Sequence, residues 1–160
     1  MESLLRTDAR NTALLVQRLV LALVILPHGA QKLLGWFGGY GFTGTMDFFT
    51  GTVGLPTPVA ALVILFESVG AVLLAAGLFS RLAAAGIAAV MAGAALTTHL
   101  PYGFFMNWFG NQKGEGFEFH LLALALAIPL AIWGGGRASA DARLATGLAT
   151  GTVAVRNAAG

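Results

Sequence analysis

The placement of charge is what most limits the folds open to this chain. Residues 48–66, 68–80, 82–112 and 121–136 contain no Asp, Glu, Lys or Arg, and a helix crossing the hydrocarbon of a bilayer needs about 20 such residues. Backbone polar groups in lipid must be satisfied inside their own segment, so runs like these are expected to be helices. Composition agrees: 57% of the 160 residues are hydrophobic and 10% are charged, against about 25% charged in soluble domains. The expectation is an all-α integral membrane four-helix bundle, built as two hairpins with long outer loops rich in glycine and aromatics. Residues 1–141 would form a single transmembrane domain and 142–160 a flexible tail.

The helices are expected over about 12–34, 57–79, 82–99 and 118–133, with a short interfacial helix over 45–52. Pro27 should kink the first by freeing the carbonyl of Leu23. Ser80 and Arg81 leave room only for a tight hairpin. The ladder Ala85, Ala89, Gly93, Thr97 suits close contact between helices in lipid. Gly134-Gly135-Gly136 ends the fourth helix, and the tail from Arg137 should be loosely held. The start of the chain reads as leading into a spanning helix, since no small-residue cleavage site follows. A faint echo relates His28 with Trp36-Phe37-Gly38 to His99 with Trp108-Phe109-Gly110.

Arg6, Arg10, Arg81, Arg137, Arg143 and Arg156 fall on one side of this topology and Lys32 and Lys113 on the other. The positive-inside rule then places both termini in the cytoplasm, with the long loops outward. The net charge of +2 is made of single basic residues at segment edges, which argues for orientation and against nucleic acid. The absence of cysteine removes disulfides, thiol relays and iron–sulfur ligation, so redox chemistry would need a bound cofactor or a quinone.

An ionisable group in hydrocarbon costs about 2.5 to 3.5 kcal/mol on insertion scales, which makes each one a functional candidate. Glu67 lies roughly 15 Å below the outer end of its helix, and its expected partner is Arg18 or His28. His28 and Lys32, four apart, share one helix face, while His99 and His120 reach the same membrane level from neighbouring helices. Together with Glu118 they define a candidate polar pocket of His28, Lys32, Glu67, His99, Glu118 and His120, closed from water by Trp36 and Trp108, in which Lys32 could pair with Glu118. A quinone headgroup fits such donors better than haem, and no metal site is assigned. The alternative for each is structural: a pair that fixes register, or histidines satisfied at the interface. Lys113-Gly114-Glu115-Gly116 lacks phosphate-loop context and is assigned to a turn.

Pro27-His28-Gly29-Ala30-Gln31-Lys32-Leu33 with Gly35-Trp36-Phe37, then Gly41-Phe42 and Gly54-Leu55-Pro56, resembles the signature of the DoxX family of small bacterial membrane proteins. The resemblance continues through Glu67, Gly77 to Arg81, His99-Leu100-Pro101-Tyr102-Gly103-Phe104-Phe105, Asn111-Gln112, Gly114-Glu115-Gly116 and Glu118-Phe119-His120-Leu121. It implies four transmembrane helices and a membrane component of an oxidoreductase or respiratory assembly, quinone-linked or serving oxidative-stress defence, with partner subunits or as a homo-oligomer. Competing functions are a small transporter or proton relay using Glu67 and the histidines, and a structural anchor for a partner enzyme.

Overall fold

The computed structural model describes residues 2–147. Helix α1, Thr12–Leu34, is started by Asn11, whose side-chain oxygen accepts from the amide of Leu14 at 3.1 Å, and is stopped by Gly35 in the left-handed conformation at φ 73°. Pro27 lies inside it. The segment after α1 then carries helix α2, Gly41–Asp47, which runs on into a wider π turn, Phe48–Thr52, where the Thr50 hydroxyl donates to the Met46 carbonyl. The helical stretch therefore begins four residues before the interfacial helix read from the sequence, because Gly41 takes a positive φ and starts it.

Helix α3, Thr57–Ala76, is interrupted by a π turn at Phe66–Gly70 and ends at Gly77, whose φ of 69° reverses the chain. Helix α4, Ser80–Tyr102, has its own π turn at Ala95–His99. After loop 103–117 comes helix α5, Glu118–Trp133. Helices α1, α3 and α4 are long and apolar enough to cross a membrane; α5, with 16 residues, is apolar but shorter. Val16, Leu19, Leu23, Val69, Val72, Leu122 and Ile132 are exposed on the outer surfaces of these helices. That much contiguous hydrocarbon belongs in lipid and not in water.

The core is formed where α4 packs along α5 and α1 packs on the inner half of α3 and on α5. Leu21 and Ile25 from α1, Leu74 from α3, Ala84 and Ile87 from α4, and Ala127 and Leu130 from α5 meet there. The small residues that bring α4 close to its neighbours are Ala83 and Ala84. The ladder Ala85, Ala89, Gly93, Thr97 does not pack as expected: all four are exposed. Lying about 200° around the helix from Ala83 and Ile87, they turn away when those residues turn in.

The chain from Arg137 is anchored at its start, where a loosely held tail was expected. Ser139 and Asp141 are buried, and residues 140–147 are helical. Asp141 accepts from the amides of Phe79 at 2.7 Å and Ser80 at 2.9 Å, satisfying two orphan donors at the start of α4. The remainder of the expected tail, 148–160, lies outside the described residues. The echo between the two outer loops does not extend to backbone: the first carries α2, whereas the second is closed by bonds such as Glu118 N to the Phe104 carbonyl at 2.9 Å.

Candidate functional site

The site is set by one close approach. Gly29 of α1 lies against the backbone of Glu67 and Ser68, so near that a Cβ there would collide with the Glu67 carbonyl. Its lack of a side chain fixes the register between α1 and α3. Lys32, three residues further along, then meets the Glu67 carboxylate at 2.5 Å. This corrects the pairing expected from sequence: the partner of Glu67 is neither Arg18 nor His28. Arg18 lies 11 residues from Gly29, about 16 Å along the axis, and its guanidinium sits at the inner end of the bundle beside Gly77 and Ser139, reaching the Ala138 carbonyl at 3.5 Å. His28 stands against the Phe119 ring, with centroids 5.7 Å apart.

Glu67 sits in the π turn of α3, where the Ser68 hydroxyl donates back to the Ile64 carbonyl. His99 closes the π turn of α4, where the Thr97 hydroxyl donates to the Gly93 carbonyl at 2.8 Å. Such turns shift the helical phase locally and recur at functional positions. Here they present Glu67 and His99 to the same space. The His99 ring lies 4.2 Å from that of His120, and its Nδ1 is 2.9 Å from the Glu115 carbonyl oxygen. His120 is 5% exposed, and among the described residues its Nδ1 has no hydrogen-bond partner.

His28, Lys32, Glu67, His99 and His120 all border one cavity of about 620 Å³. Its other walls are mostly hydrocarbon, from Val59, Leu62 and Phe66 of α3 and Ala89, Val90 and Gly93 of α4. The sixth candidate, Glu118, is not among its lining. Its carboxylate instead accepts from the Met106 amide at 3.1 Å and the Trp108 indole N–H at 2.9 Å, so it organises loop 103–117 and makes no pair with Lys32. Nor do the two tryptophans close the space. Trp36 and Trp108 are 60% and 75% exposed, and Phe48, Phe49 and Met106 stand at its outer end in their place.

Glu115 was missed as a lining residue, since a Lys-Gly-Glu-Gly run reads as a surface turn. Its carboxylate accepts from the Asn107 amide at 2.6 Å. Among the described residues no three His, Asp or Glu side chains are grouped to ligate one metal ion.

The DoxX family model matches residues 13–100, which takes in α1, α2, α3 and nearly all of α4. The chain belongs to the DoxX family. A relative from Bacillus subtilis (strain 168), described as "Putative oxidoreductase CatD", is 32% identical over 120 residues, covering 75% of this chain and 78% of the relative. No solved structure matches. In this DoxX protein the matched stretch supplies His28, Lys32, Glu67 and His99, while His120 and loop 103–117 lie beyond residue 100.

Proposed function

We propose that this DoxX-family protein is the membrane subunit of an oxidoreductase assembly and that its cavity holds the ring of a quinone or a similar flat apolar molecule. The observation that carries this reading is the cavity itself: about 620 Å³, hydrocarbon along α3 and α4, and bordered toward the outer ends of α1, α4 and α5 by Lys32, His28, His99 and His120. Binding sites of this size pair apolar walls with a few placed polar groups. A quinone becomes a quinol by taking two electrons and two protons. The cysteine-free chain has no thiol couple, so the electrons come from a partner subunit; the protons come from the outer side by way of His99 and His120. The name of the Bacillus relative supports an oxidoreductase role.

In this reading four helices span the inner membrane of a bacterium, α5 covering about 24 Å, with both termini cytoplasmic. The chain has no cysteine, so Asp47→Cys and Asn111→Cys can each be labelled in whole cells with an impermeant maleimide. Labelling from outside is expected at both, and protection at both in intact cells with labelling after lysis reverses the topology. For the function, protein purified in a mild detergent is extracted and analysed by mass spectrometry. About one quinone per chain is expected; protein that carries none and binds no added quinone analogue ends the reading.

A further inference from the structure

Helices α3 and α4 touch in their inner halves and separate toward the outside. The inner contact runs through the Phe66 ring, which packs on Gly86 so closely that a Cβ at Gly86 would occupy the ring. Beyond it, among the described residues, Thr57–Leu65 makes few contacts with α4. The two faces that separate are those bordering the cavity: Val59, Leu62 and Phe66 at helical spacing on α3, and Ala89, Gly93 and Thr97 on α4. Val59, Leu62, Ala89, Gly93 and Thr97 are also exposed. A cavity walled by exposed residues of two helices that part from one another opens between them, here along their apolar spans.

We infer that the ligand enters sideways from the bilayer between α3 and α4, and that it is a ring carrying a hydrocarbon chain, the chain lying over Ala89, Gly93 and Thr97 and the ring among the histidines. This rests on the quinone reading and adds the route and the tail. The small side chains of α4 leave room for a chain there: a Cβ added at Gly93 would meet nothing within 4 Å. The inner end is stopped by Phe66 on Gly86. At the other end His120, 5% exposed and with Nδ1 unpartnered among the described residues, gives the ring a free hydrogen-bonding group.

The test is binding of two probes to the full chain in nanodiscs, a benzoquinone with a decyl tail and the same ring without one, compared between wild type and Gly93→Leu. The open space at Gly93 lets the leucine fold without strain while filling the gap. Gly93→Leu is expected to weaken the tailed probe at least tenfold and to leave the tailless ring within twofold. Equal effects on both probes, or no effect on either, would overturn lateral entry while leaving the quinone site standing. Failure of wild type to bind either probe overturns the quinone reading and this inference with it. A change of oligomeric state in Gly93→Leu, without selective loss of the tailed probe, would make the stripe a contact between copies of the chain and also refute the proposal. Val72→Leu, exposed on α3 and away from the cavity, is expected to bind both probes like wild type.

Discussion

Replacing Lys32 by methionine keeps the length of the side chain and removes its charge, leaving the Glu67 carboxylate with no cation within ion-pairing distance among the described residues. Breaking a buried pair from one side costs about 3 to 5 kcal/mol. The Lys32 side chain is 23% exposed and that of Glu67 5%, so the pair is only partly desolvated and the lower figure applies. About 3 kcal/mol corresponds to a change of roughly 150-fold in the unfolding equilibrium. Glu67→Gln should cost less, about 1 kcal/mol, because the freed ammonium sits near the end of α1 and can extend toward the interface, an escape the carboxylate lacks. The double variant Lys32→Met, Glu67→Gln, with neither charge left, should fall within about 1 kcal/mol of wild type. Unfolding by a denaturing detergent in mixed micelles, followed by tryptophan emission, measures all three. A Glu67→Gln variant more damaged than Lys32→Met, or a double variant that loses the sum of the two, would show that Lys32 and Glu67 do not act as a pair.

Gly29→Ala places a methyl group against the Glu67 carbonyl, where backbone cannot yield, and should cost about 3 kcal/mol, the upper part of the overpacking range; the same unfolding assay reads it. Asp141→Ala removes both acceptors from the start of α4 and should cost about 1 to 2 kcal/mol, with faster hydrogen exchange at the Phe79 and Ser80 amides as its local signature. Glu118→Gln replaces a charged acceptor by a neutral one for Met106 and Trp108 and should roughly halve the strength of those bonds, seen as faster proteolytic nicking of loop 103–117. Trp108→Phe should leave binding of the tailless ring in the cavity within twofold of wild type, because Trp108 is no part of its wall.

Charge-free runs made the apolar helices legible, since in lipid the backbone has few other options. The positions of Gly29, Pro27 and Lys32 were all visible, yet the partner of Glu67 was assigned by side-chain reach alone. What decides it is register, and register is set by Gly29 pressing on another helix's backbone, a contact with no one-dimensional signature. The three histidines border one cavity, and helix length is the signal that groups them, because it fixes depth. Glu118 was grouped with them for the same reason, but depth does not say which way a side chain turns, and at the start of α5 it turns to the loop. The ladder on α4 was legible as small residues and misread as a seam, because two stripes of small residues share that helix and only the surroundings choose between them. Asp141 was hidden in a stretch of alanine and glycine, where a single acidic residue looks like solvation and is in fact a cap.

The cap has a consequence for the order in which the molecule can be completed. Asp141 is 62 residues downstream of Phe79, which at ribosomal rates of about 5 to 20 residues per second is a delay of roughly 3 to 12 s. During that interval the hairpin of α3 and α4 has been made, but the first amides of α4 have only water for partners, so its inner end must stay at the wet face of the membrane. The bundle is sealed at the α3–α4 turn by a residue synthesised after all of its apolar helices, and a nascent chain halted between residues 133 and 141 would hold every apolar helix and still lack the bonds that close it.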